Sequence, residues 1–177
     1  TNQACSDDKK FDFNTPITKD ITLYAKWTIN TYTLTWAVNG GNDLTGEYTS
    51  GSVKFGATIT KPANPTRDGY KFTGWHNGTA IVNPATTMPA NDLNYTAQWT
   101  KVYTVTFYNN GSVYETLTDL ESGDAVTFPA TDPESCDTEN YPHFIGWTID
   151  PINGSTDEEP DLVTSATVSD EDLEYHA

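Results

Sequence analysis

The chain has 177 residues, 12% of them aromatic, with 9 Lys plus Arg against 25 Asp plus Glu, for a formal net charge of −16. So large an acidic excess excludes binding to a nucleic-acid backbone and to anionic membrane surfaces, both of which require clustered Lys and Arg. Five Trp and ten Tyr are enough to build ordered cores, and the abundance of β-branched and aromatic residues over strong helix formers predicts strands.

The first predicted strand with clear patterning is Tyr32-Thr33-Leu34-Thr35-Trp36, whose apolar residues alternate with Thr at the period of a half-buried strand. Asn39-Gly40-Gly41 follows, a turn signal because Asn and Gly tolerate positive φ. Ser52 to Ile59 reads as a second strand broken at Gly56, and Lys61 to Gly69 holds too many prolines for a helix longer than one turn. Tyr70-Lys71-Phe72-Thr73-Gly74-Trp75 is a third strand, in which Gly74 predicts a bulge or a close backbone approach beside the Trp. Leu93, Tyr95, Ala97 and Trp99 alternate through a closing strand, and Tyr103, Val105 and Phe107 then begin the pattern again.

That restart is a repeat. Asp20-Ile21-Thr22-Leu23-Tyr24-Ala25-Lys26-Trp27 aligns with Asp92-Leu93-Asn94-Tyr95-Thr96-Ala97-Gln98-Trp99 and with Asp172-Leu173-Glu174-Tyr175-His176-Ala177. Phe72-Thr73-Gly74-Trp75 aligns with Phe144-Ile145-Gly146-Trp147. Trp27 and Trp99 lie 72 residues apart, and Asp92 and Asp172 lie 80 apart, so the last unit carries insertions, one around Cys136 and one after Trp147. The reading is therefore the C-terminal part of one unit (1–28), a complete unit (31–99), and a third that stops within its closing strand and carries loop insertions (102–177). Four or five short strands with little helix are expected per unit. Met88 is the only methionine and the first residues are polar, so an internal piece of a longer chain is expected.

The Tyr-Thr-aliphatic-Thr-aromatic strand, the Asn-Gly-Gly turn, the stretch from Lys61 to Trp75 and the closing strand from Asp92 to Trp99 together resemble the internalin B-repeat family, also called the Listeria–Bacteroides repeat. Phe11 to Thr18 before the first closing strand is similar to that family too, while Pro133-Glu134-Ser135-Cys136-Asp137 departs from its pattern. The resemblance implies a mainly β chain of tandem, small β-grasp-like repeats on a surface protein, extracellular or secreted, serving as a non-catalytic stalk or spacer of an adhesin-like molecule. It leaves open the alternative of a module that binds a host protein or glycan directly. The implied partners are neighbouring repeats of the same chain, with a host protein or glycan as a further one.

Residues that could carry chemistry are few. His76, His143 and His176 have no metal-ligand spacing, and no nucleophile motif or phosphate loop occurs. Cys5 and Cys136 fall in different units, so a mutual disulfide is not expected. Asp157, Glu158, Glu159 and Asp161 form the best calcium candidate, though a solvated loop is the plainer reading. Four Asn-x-Ser/Thr sequons begin at Asn77, Asn94, Asn110 and Asn153. Asp20, Asp92 and Asp172 recur and read as turn formers before the closing strand. No cofactor, no enzyme activity and no membrane insertion are expected. The expected structural core is Trp27, Tyr32, Trp36, Phe72, Trp75, Tyr95, Trp99, Tyr103, Phe107, Phe144, Trp147 and Tyr175, on the ground that residues recurring in every unit serve packing.

Overall fold

Alternation of apolar and hydroxyl side chains puts one face of each strand into a core and the other into water. In the computed structural model, which describes residues 11–135, 138–139, 143–151 and 160–177, this produces a mainly β repeat fold with eight strands and no helix among the described residues. The strands are β1 (Thr31–Ala37), β2 (Gly51–Lys54), β3 (Tyr70–His76), β4 (Ile81–Val82), β5 (Leu93–Lys101), β6 (Tyr103–Asn109), β7 (Ser112–Leu120) and β8 (Leu173–His176). They form two sheets, β2-β1-β5-β3-β4 and β7-β6-β8.

The centre of each sheet is a parallel pair made from strands far apart in the chain. Leu34 lies opposite Leu93 and Ala37 opposite Thr96 in the first sheet, and Val105 lies opposite Leu173 and Tyr108 opposite His176 in the second. All other pairings between named strands are antiparallel. Among the described residues, the pairings of β3 with β4 and with β5 have counterparts in the second sheet as isolated bridges, Trp147 to Val163 and Thr148 to His176. Trp147 and Thr148 occupy the positions of Trp75 and His76, so the topology is kept.

Each sheet covers its own core. Leu34, Val53, Ile59, Trp75, Met88, Tyr95 and Ala97 fill the first, and Tyr103, Val105, Phe107, Val126, Trp147, Val168 and Tyr175 fill the second. The proline-rich stretch contains no helical turn; it crosses the first core as irregular chain with Pro62 and Pro65 buried. Just before it, residues 57–59 make a short non-strand pairing, with the Ile59 amide donating to Thr86 O at 2.8 Å and the Met88 amide to Ala57 O at 2.9 Å. Numbered by their sheets, 31–99 is the first unit and 102–177 the second, and the second uses the same bonds, from the Val126 amide to Ala166 O and from the Val168 amide to Asp124 O. The strand predicted over Ser52 to Ile59 thus ends at Lys54, and the residues after it turn to pair with the chain around Met88.

Strict alternation would put Phe72 and Trp75 on opposite faces. A register shift between Phe72 and Gly74 inserts one extra residue, so both rings reach the core side, 5.4 Å apart. Gly74 adopts φ 145°, and a Cβ there would stand 2.5 Å from Ile81 Cγ2. Gly146, at φ 150°, holds the same place before Trp147.

Two similar turns diverge. Asn110 and Gly111 both have positive φ and lead directly into the nine-residue β7. Asn39 and Gly40 make the same kind of turn, but the Asn42 amide then donates to Thr66 O at 2.8 Å and its side chain to Thr66 Oγ1 at 3.0 Å. This draws the chain away from β1, so β2 begins only at Gly51.

One expected core residue is corrected. Trp27 is 89% exposed, and residues 11–30 form no strand. β5 is stabilised between β1 and β3, whereas Trp27 lies on irregular chain and joins neither core. Leu23 and Tyr24 are exposed for the same reason.

Candidate functional site

The first candidate is the recurrent aspartate. The Asp92 carboxylate accepts a hydrogen bond from the Thr33 amide at 2.7 Å, and Asp172 accepts one from the Thr104 amide, also at 2.7 Å. Each bond lies one residue before the first register pair of the central parallel ladder. The reading of these residues as local turn formers is therefore too narrow: the bonds span 59 and 68 positions and tie the start of the closing strand to the first strand. The signal was the recurrence itself, but the partner amide could not be identified without the fold. A hydrogen bond to a charged group is worth more than a neutral one. Asp92→Ala is expected to lower the stability of the first unit by about 1–2 kcal/mol, read as an earlier midpoint in urea.

At the opposite end of the first ladder, side chains close the pair again. Asn39 Nδ2 donates to Ala97 O at 3.1 Å, and Trp99 Nε1 donates to Val38 O at 3.1 Å. The Trp99 ring meets Phe72 edge-on at 5.5 Å and lies so close to Gly41 that a Cβ there would stand 2.5 Å from Cζ2. Trp36 stacks on Tyr95 at 4.7 Å and meets Trp75 edge-on at 4.9 Å. In the second unit Phe107 holds the position of Trp36, 5.5 Å from Tyr175 and 4.9 Å from Trp147. Trp75, Tyr95, Tyr103, Phe107, Trp147 and Tyr175 are buried, while Tyr32, Trp36, Phe72, Trp99 and Phe144 pack at the margins of the two cores.

The second candidate is a groove of about 670 Å³ beside the end of β8, lined by residues that include Tyr108, Asn110, Phe144, Ile145, His176 and Ala177. Tyr108 stacks on His176 at 5.2 Å, and its hydroxyl donates to Glu174 at 3.3 Å. Desolvation, then the Glu174 charge and the hydrogen bond to it, raise the Tyr108 pKa above the ordinary phenol value. The counterpart of Phe144 in the first unit, Phe72, meets the Trp99 ring edge-on at 5.5 Å.

Burial also raises the pKa of Tyr175 above 10.0. Folded and unfolded forms are both protonated below the ordinary value, so the stabilising contribution is complete there. As pH rises past about 10, the unfolded chain loses its proton first and stability falls. Chemical denaturation of the second unit should show stability declining as pH rises above about 10. Tyr175→Phe should lessen the decline.

The remaining candidates are not assembled into a site. His76 Nδ1 accepts from the Gly78 amide at 3.0 Å, His143 is exposed, and His176 is the stacking partner of Tyr108. Among the described residues no group of three or more His, Cys, Asp or Glu could hold a metal ion. Asp161 is exposed on irregular chain, whereas Asp157, Glu158, Glu159, Asn153, Cys5 and Cys136 lie outside the described residues. No helix among the described residues is long and apolar enough to cross a membrane.

The family model of the Listeria-Bacteroides repeat domain matches residues 1–26, 32–98 and 103–169. Internalin H of Listeria monocytogenes serovar 1/2a is 40% identical over 98 residues, 52% of this chain and 17% of that protein. Two proteins of Evansella cellulosilytica whose names assign them to the membrane are 33% and 31% identical, over 84% and 80% of this chain. The chain spans only 22% and 16% of their length. Among solved structures, streptococcal high identity repeats in tandem, domains 3-4, from a cell surface protein align with 82% of this chain and 94% of that one, at 18% identity and a TM-score of 0.22. That score carries no inference about the fold.

Proposed function

Because the chain belongs to the Listeria-Bacteroides repeat domain family, we propose that it is a non-catalytic extracellular segment of a surface protein, a stalk or spacer that holds other parts of an adhesin-like molecule away from the cell envelope. The carrying observation is that the recurrent side chains are spent on packing and strand pairing. Asp92 and Asp172 bind backbone amides, and the aromatics that recur between the two sheets lie in or against the cores. The central parallel pair with its antiparallel neighbours is read as β-grasp-like, with units at 31–99 and 102–177.

Close coupling between units supports the spacer reading. Val102 alone separates β5 from β6, and its amide donates to Gly69 O at 3.0 Å. Lys101 sits over the Tyr103 ring at 4.7 Å, and Lys71 pairs with Glu121 at 3.7 Å. Exposed ion pairs contribute little, so the backbone bond and the one-residue linker are the main restraint. The net charge of −16 adds self-repulsion between molecules. Small-angle scattering of the chain should give an extended profile; a compact globule would count against a spacer.

The alternative, direct binding of a host protein or glycan, draws on the groove beside β8. Glycan-array and cell-binding assays with the chain are expected to be negative, and reproducible binding abolished by Phe144→Ala would favour the alternative.

A further inference from the structure

We propose that each unit is a shear-loaded clamp: tension along the chain is carried by the parallel pair of its first and last strands, locked by the recurrent aspartate. This rests on the spacer reading but goes beyond it, since a spacer needs length and not mechanical strength.

The chain enters the first unit at the start of β1 and leaves it at the end of β5. These strands are adjacent and parallel. Tension therefore pulls β1 backwards from Thr31 and β5 forwards from Lys101, along the strand axis in opposite senses. Interstrand hydrogen bonds run across that axis. The register pairs from Leu34–Leu93 to Ala37–Thr96 must then yield together. An antiparallel hairpin pulled apart at its open end would instead lose its pairs one at a time. The strands on the flanks, β2, β3 and β4, lie off the load path and support the pair from the sides.

The ends of such a ladder are where failure would begin, and both are reinforced. At the entry end the Asp92 carboxylate holds the Thr33 amide at 2.7 Å. At the exit end Asn39 Nδ2 holds Ala97 O, and Trp99 Nε1 holds Val38 O, each at 3.1 Å. The second unit reproduces the plan in a different sequence: β6 and β8 are parallel neighbours, Asp172 holds Thr104, and the Ala177 amide donates to Tyr108 O at 2.9 Å. Two independent occurrences show that the arrangement belongs to the repeat and not to one loop.

The dimensions suit a force-bearing element. Thr31 lies three residues behind the first register pair and Lys101 eight residues beyond it, so the folded unit spans about 36 Å along the strands. Rupture would release roughly 20 nm of chain, an extension large enough to cushion a pull.

Single-molecule force spectroscopy tests this, with the chain held at Thr1 and Ala177. Two unfolding events of roughly 20 nm each are expected. Asp92→Ala should lower the force of one event and Asp172→Ala that of the other, while the exposed control Asp43→Ala changes neither. A second geometry, with handles on Lys54 and Ile81 at the two edges of the first sheet, loads the strands sideways and should unfold the first unit at a several-fold lower force. Equal forces in the two geometries would overturn the clamp, as would an unchanged end-to-end force in Asp92→Ala. An extended but mechanically weak chain would defeat the clamp alone; a compact one would defeat the spacer reading.

Discussion

Trp75→Ala is expected to remove about 3–5 kcal/mol from the first unit, the range for truncating a fully buried large aromatic. The indole is 2% exposed and meets Trp36 at 4.9 Å and Phe72 at 5.4 Å. Its cavity would open at the bulge, where the backbone is fixed by the Gly74 conformation and collapses poorly. Part of the loss is offset because the buried Trp75 Nε1 has no hydrogen-bond partner, so truncation also removes an unsatisfied donor. For a unit of this size the effect corresponds to a fall in melting temperature of roughly 12–40 °C, or to a missing transition if the unit is marginal. Calorimetry would read it directly, and a shift of only a few degrees would mean that the first core does not depend on this ring.

Phe107→Ala is expected to have an effect of the same size, about 3–5 kcal/mol, confined to the second unit. The ring is fully buried and contacts Phe128 at 5.6 Å, Trp147 at 4.9 Å and Tyr175 at 5.5 Å. None of these residues belongs to the first core. The two substitutions therefore test independence of the units as well as packing. Residues in separate cores with no shared partner should have additive effects, so the double variant should show both shifts. If Phe107→Ala moved the transition of residues 31–101 equally, the two sheets would be one cooperative body, and the unit boundaries proposed for 31–99 and 102–177 would have to be abandoned.

How much of this was legible depended on how local the cause was. The alternation in Tyr32, Leu34 and Trp36 is a property of seven adjacent residues, and it yields the inward face of β1 directly. The bulge was legible because Gly74 stands beside a Trp that must share a face with Phe72. Trp27 was misread because burial of a closing strand depends on strands elsewhere in its unit. Its own pattern matches that of Trp99 almost residue for residue, yet the two sit in opposite surroundings. The roles of Asp92 and Asp172 were hidden for the same reason, since their partners are 59 and 68 residues distant. The two Asn-Gly turns look alike in sequence and part company only through the bonds of Asn42 to Thr66.

The position of the closing strand bears on how the molecule is made. A chain synthesised from its N-terminus holds β1 to β4 of a unit before β5 exists, and β1 lacks its central neighbour until that last segment emerges. Pairing across so long a stretch is entropically slow, and meanwhile the open side of β1 is an unpaired edge that another chain could join. Each unit therefore remains open until its last dozen residues arrive, and then closes in a single event. In a tandem array, folding would advance by whole repeats behind the ribosome or export pore, each step triggered by the arrival of an Asp followed by an aromatic strand.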